Sequence, residues 1–189
     1  MKNVIERYLL VFDEINRKGE EYLKGLPDTY EEFEKQIVEL LIDGYLEGFA
    51  AVGYMLKDNI ERQPDMLSAM DILTAEIAGQ TVLDRLGAYY ADNDIESIRA
   101  VLDTDFHRLY IEGGYARASA VDGNVFKKWK TVVDNNRRET HKYLEGMTIP
   151  LNEEFFTFDG DSAKAPGLFS KAENNVRCRC ILIYEYQTE

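Results

Sequence analysis

Apolar residues recur at helical spacing through the first two thirds of the chain. Val4, Tyr8, Phe12, Ile15 and Tyr22 mark a first helix, because positions three, four and seven apart share one helical face. Gly25 and Pro27 end it. Asp28 is placed to cap a second helix, and Glu31, three residues on, completes an acidic form of the capping box. Tyr30, Phe33, Ile37, Leu40, Leu41, Tyr45, Phe49 and Val52 then form one continuous stripe. Gly44, Gly48 and Gly53 lie inside this helix, where each costs about 1 kcal/mol against alanine. A neighbouring helix at close range is the expected compensation, because a missing side chain lets two backbones meet. Pro64 suits the first turn of a third helix, with Met66, Met70, Leu73, Ile77, Leu83, Leu86 and Tyr90 along its core face. Asn93 or Asp94 restarts the chain, and Ile95, Ile98, Val101, Leu102, Phe106 and Leu109 carry the period towards Gly113-Gly114. Four long amphipathic helices with short loops predict a bundle-like arrangement.

The pattern changes after Asp122-Gly123-Asn124, a turn signal. Val125 to Val132 is β-prone and partly alternating. Asp134 is placed as the N-cap of a helix through Arg137, Arg138, His141 and Leu144, which Gly146 ends with a left-handed residue. Arg137 with His141, and Arg138 with Lys142, are neighbours one turn apart, so positive charge stacks along it. Val176 to Tyr186 alternates. Val176, Cys178, Cys180, Leu182, Tyr184 and Tyr186 fall on one face, opposite Arg177, Arg179, Ile181 and Ile183. The expected fold is α+β and mostly α. Long N-terminal helices over 1–121 precede a small α+β module over 122–189 with a few-stranded sheet, against which Trp129 is buried by a helix.

Composition narrows the class. Across 189 residues, 45% hydrophobic and 30% charged, the chain reads as globular and not disordered. It has no apolar run of 18 residues, so no membrane span is expected. The charged start, Met1 to Arg7, does not suit a signal peptide. Net charge is −13. Residues 1–100 hold 10 basic and 21 acidic side chains, a balance of −11, while the remainder is at −2. An acidic N-terminal half disfavours nucleic acid as its partner. Lys127, Lys128, Lys130, Arg137, Arg138 and Lys142 form a local basic stretch. It is either a solvated face or a contact for an acidic partner or DNA phosphates.

Both cysteines and one of two histidines lie in the last third. Two cysteines spaced C-x-C make no disulfide framework, which predicts a reducing, cytoplasmic setting. On an alternating strand they read as small buried hydrophobes. Cys178, Cys180 and His141 could instead bind a metal, with His107 or Asp134 as a fourth zinc ligand. The C-x-C spacing and the apolar strand face predict no stoichiometric zinc. Cysteine, histidine and aspartate also make up a nucleophile set in composition. The sequence has no phosphate loop, nucleophile elbow or paired-carboxylate motif.

The spacing W-x4-D-x3-R-x2-H-x4-G, followed by E-x4-C-R-C, resembles the C-terminal domain of the phage Mu F-like minor head proteins of tailed phages. The resemblance covers about residues 104–185 and places Trp129, Asp134, Arg138, His141, Gly146, Cys178, Arg179 and Cys180 at motif positions. Arg177 stands where the family has the Asn of Asn-Cys-Arg-Cys, although Asn174 and Asn175 lie just upstream. Asp105 stands where Glu is usual after Thr104. The resemblance implies a minor head protein in few copies, associated with portal and other head proteins during assembly in the bacterial host cytoplasm, and found in the virion head. Some members are thought to accompany DNA. It implies no demonstrated enzyme, although related modules are sometimes fused to effector domains. The alternatives are a toxin-like or nucleotide-processing enzyme using Arg138 and His141, or a DNA-binding head protein.

Overall fold

A computed structural model describes residues 4–77, 79–132 and 138–186. Two long helices form its spine. Helix α2 (Tyr30–Leu56) packs along α5 (Ile95–Ser119), with α1 (Val4–Leu23), α3 (Met66–Thr74) and α4 (Val82–Ala91) around them. The glycines of α2 explain how closely the two spine helices approach. A Cβ on Gly48 would lie 1.8 Å from the Tyr110 carbonyl oxygen, and one on Gly113 would lie 2.0 Å from that of Tyr45. A Cβ on Gly44 would lie 2.7 Å from the Phe106 ring, and one on Gly53 would lie 3.4 Å from the Arg117 guanidinium. The predicted close approach is therefore present, and α5 runs on through Gly113-Gly114 for the same reason.

Local signals shift some boundaries. Thr29, not Asp28, caps α2, its hydroxyl accepting from the Glu32 N–H. Asp65 caps α3, and Asp94 caps α5 after Asn93 takes a left-handed φ of 52°. The single helix expected over Met66–Tyr90 is two helices. Ile77 and Gln80 bridge across a turn containing Gly79 at φ 80°, and Thr81 starts α4 with a full capping box to Asp84. Cap chemistry outweighs a periodicity that is continuous on paper. Ile77, in that turn, is consequently exposed, and Met66, at the start of α3, is exposed as well.

After α5, strand β1 (Val125–Lys130) is the centre of an antiparallel sheet in the order β2-β1-β5, with β2 at Thr148–Pro150 and β5 at Ile181–Tyr186. The short helix α6 (Glu139–Lys142) lies between β1 and β2. A two-stranded hairpin, β3 (Phe155–Phe156) with β4 (Ser162–Ala163), and the single-turn helix α7 (Ala172–Asn175) precede β5. Val125, Lys127 and Trp129 alternate inward along β1, opposite Tyr186, Tyr184 and Leu182. One core runs from Tyr8 and Phe12 through Tyr45, Phe106 and Tyr110 to Trp129, Leu182 and Tyr184. Among the described residues no helix is long and apolar enough to cross a membrane.

Candidate functional site

Four of the residues singled out in the last third, Trp129, His141, Cys178 and Cys180, come together in one buried spot. Trp129 is fully buried, as expected. It meets the His141 ring edge to face at 5.4 Å and the Phe155 ring at 5.0 Å, while Phe169 stacks on His141 at 5.4 Å. Two aromatic rings, Trp129 and Phe169, thus fix the imidazole plane.

The helix carrying His141 is shorter than the pattern predicts. It spans only Glu139–Lys142, with Arg138 at its N-cap position making no side-chain cap bond to it. The Asp134 cap and Arg137 lie outside the described residues. Gly146 does adopt a left-handed φ of 80°, but four residues beyond the helix. There its N–H donates to the Trp129 carbonyl at 2.9 Å, so the glycine shapes the entry into β2 and does not terminate a helix.

The cysteines are not on the strand face. Strand β5 starts at Ile181, after both of them. Arg177 has a φ of 55°, and the Cys178 N–H bonds the Asn175 carbonyl at 2.9 Å. This turn breaks the alternation expected from Val176 onward and leaves Val176 exposed. It also lets two side chains spaced C-x-C point to one place. Cys178 Sγ lies 3.7 Å and Cys180 Sγ 3.5 Å from His141 Nδ1, and all three side chains are buried. The two sulfurs share a hydrogen bond, which is the main effect lowering the Cys178 thiol pKa, with Arg138 contributing. The same bond, together with burial, pushes Cys180 up. Arg179, between them in sequence, is half-buried.

Several neighbours hold this geometry in place, and the sequence pattern did not single most of them out. Arg138 reaches across to α7, where its Nε donates to the Glu173 carbonyl at 2.6 Å and its Nη2 to that of Val176. Thr140 donates to Asn174 Oδ1 at 3.1 Å. Asn175 pairs with the Phe169 backbone in both directions, at 2.9 and 2.6 Å. Asn174 donates to Asp161 Oδ2 at 3.0 Å. Asp161 also accepts from the Ser162, Ser170 and Lys171 N–H groups and from the Ser170 hydroxyl. The two asparagines upstream of Arg177 therefore have structural work of their own. Burial alone would raise the Asp161 carboxyl, but bonds from Asn174, Ser170 and Lys171 outweigh it and hold the group far below the usual carboxylate range.

His107 is not drawn into the sulfur–imidazole cluster. Its Nδ1 pairs with the Tyr8 hydroxyl at 2.9 Å, and burial lowers its pKa to about 4. The only group of three or more potential metal ligands among the described residues is His141, Cys178 and Cys180, whose ligand atoms all lie within 4.8 Å of one another. Asp105, at the family Glu position, is buried between Arg85 at 3.1 Å and Arg108 at 3.5 Å. Burial still raises its pKa.

The basic stretch is largely engaged within the fold. Lys127 is buried, contrary to its expected role as a DNA contact. Its ammonium donates to the Glu153 and Lys164 carbonyls at 2.6 and 2.8 Å and lies over the Tyr115 and Phe155 rings. An inward position on β1 puts it there, with the carbonyls standing in for solvent. Lys130 pairs with Glu145 and Lys142 with Glu139. Lys128 is half-exposed.

This module, a Trp-bearing strand closed over a short helix and a Cys-Arg-Cys turn, defines the class of protein. The chain belongs to the Phage Mu protein F like protein family, whose model matches residues 56–183. It is 35% identical over 88 residues to the Minor head protein GP7 of Bacillus phage SPP1, covering 46% of this chain and 29% of that protein. It is also 41% identical over 70 residues to the NAD(+)--arginine ADP-ribosyltransferase EFV of Enterococcus faecalis (strain ATCC 700802 / V583), covering 37% of this chain and 14% of that protein. The chain thus matches less than a third of either curated relative. No solved structure matches it.

Proposed function

We propose that this protein is a minor head protein that acts in head morphogenesis by protein–protein contacts with portal or other head components. The observation that carries this is the family match over residues 56–183, joined to the similarity with a phage minor head protein. The charge distribution supports it. Asp13, Glu14, Glu21, Glu31 and Glu32 are exposed on α1 and the start of α2, an acidic surface suited to a basic protein patch, since complementary potentials speed encounter and set orientation. The protein works in the host cytoplasm during assembly and ends in the virion head. The residues left for contact with DNA phosphates are Lys128, Arg137 and the partly paired Arg138, Lys130 and Lys142. The similarity to a transferase covers 14% of that protein, and the buried His141 is enclosed by aromatic rings and not open to a substrate cleft.

Affinity capture of the tagged chain from phage-producing cells tests the proposal. Portal or another head protein should copurify at low salt and be lost as salt rises. Capture of no head protein, together with a transferase or nuclease activity that His141→Ala abolishes in a folded protein, would replace it with the enzyme class.

A further inference from the structure

We propose that Cys178, Cys180 and His141 form a tetrahedral site for a thiolate-binding divalent metal, zinc foremost, that clips α6 to the turn before β5. The proposal stands apart from the head-assembly function and does not depend on it. The first observation is convergence. Three buried ligand atoms from segments 37 and 39 residues apart lie within 4.8 Å of one another. The second is spacing. With zinc–sulfur bonds of about 2.3 Å and zinc–nitrogen bonds of about 2.0–2.1 Å, the sulfur–nitrogen edge of a tetrahedron is about 3.6 Å. The two edges here are 3.7 and 3.5 Å.

Hydrogen bonding alone accounts poorly for that arrangement. A neutral imidazole nitrogen carries either one proton or one lone pair, so Nδ1 serves one sulfur in line and not two. Two sulfurs at nearly equal range from one nitrogen are what a shared electrophile between them requires. His141 Nε2 is buried without a hydrogen-bond partner, and the Trp129 and Phe169 rings set the ring's orientation instead.

The tight C-x-C spacing, unfavourable on an extended strand, is overcome by the left-handed Arg177. That turn, the Asn175 clamp on Phe169 and the Arg138 bonds to α7 pre-set both sulfurs. No fourth His, Cys, Asp or Glu joins the cluster among the described residues. Three protein ligands leave one coordination position for water or a small ligand. Thiolates and imidazole together favour zinc over the oxygen-preferring magnesium or calcium.

Cobalt(II) and zinc(II), added under reducing conditions to the chelator-stripped full chain, decide the matter. Expected are about one ion per chain by elemental analysis, thiolate-to-cobalt charge-transfer bands with the intense d–d envelope of a tetrahedral centre, and zinc displacing the cobalt. Cys178→Ser and Cys180→Ser should each weaken binding by more than about a hundredfold, beyond the 10–100-fold typical of losing an outer-shell partner. The cobalt spectrum is read on the unmutated protein, so a variant that misfolds does not cloud the result. Absence of cobalt binding, or a spectrum without thiolate bands, would overturn the proposal and leave a hydrogen-bonded thiol–imidazole cluster.

Discussion

At the scale of single residues, buried polar groups do the positioning. Asp161 gathers five hydrogen bonds from Ser162, Ser170, Lys171 and Asn174. Asp161→Ala would leave those donors unpaired, and we predict a stability loss of about 1–3 kcal/mol, read from the urea midpoint. Because its folded pKa is depressed, the contribution of Asp161 is complete above the unfolded value near about 3.9 and fades as pH falls towards the lower folded one. An Asp161→Ala protein whose midpoint equals wild type at pH 7 would refute this role. Lys127 has the opposite sign. Burial lowers its pKa to about 8, against about 10.4 in an unfolded chain. Between those values the unfolded chain binds the extra proton, so stability attributable to Lys127 grows as pH rises from 8 to 10. Comparing urea midpoints of wild type and Lys127→Met at both pH values isolates it, since the other titrating groups are common to both. A difference that stays constant across that range would contradict the buried-lysine assignment.

At the scale of elements, the α2–α5 pair depends on contact at glycine. Alanine is normally favoured over glycine inside a helix by about 1 kcal/mol. At Gly48 the added methyl would meet a backbone oxygen at 1.8 Å, which no side-chain rotation relieves, so the helices must separate. Overpacking of this kind costs about 1–3 kcal/mol or more. We predict that Gly48→Ala lowers Tm by at least about 2–4 °C, whereas Gly25→Ala, with nothing within 4 Å of the new methyl, leaves it nearly unchanged. Equal Tm values for the two variants in a thermal melt would mean that the helices are not in close contact. The periodicity of α2 and α5 was legible from the apolar stripes alone, and the close approach followed from the glycines within them. The break between α3 and α4 was not, because Thr81 and Gly79 act through local caps and a left-handed turn that a hydrophobic count does not register.

At the scale of the whole molecule, one apolar core joins the helices to the sheet. Trp129, the single tryptophan, reports on the C-terminal module, while far-UV circular dichroism reports mainly on the helices. We predict blue-shifted emission, weak acrylamide quenching and coincident urea transitions by the two probes. Two separated transitions would instead make 1–121 and 122–189 independent cooperative units. The acidic surface of α1 and α2 and the nearly balanced C-terminal module meet in this one body, which is the form that the proposed docking on a head protein requires.

The chain's own pattern determined the helical periods, the strand at Val125–Lys130, the burial of Trp129 and the family motif. Each depends on residues close in sequence or on fixed spacing. Which motif residues meet was decided only in three dimensions. The alternation around Cys178 and Cys180 reads as a strand because apolar side chains recur at every second position. A left-handed Arg177 and the Asn175 clamp override that local preference and turn both sulfurs towards His141. Lys127 reads as surface charge because lysine is costly to bury, yet two carbonyls from distant loops replace its water. Periodicity records what a segment prefers by itself, whereas the partners that satisfy a buried thiol, imidazole or ammonium come from segments tens of residues away, and only packing brings them within reach.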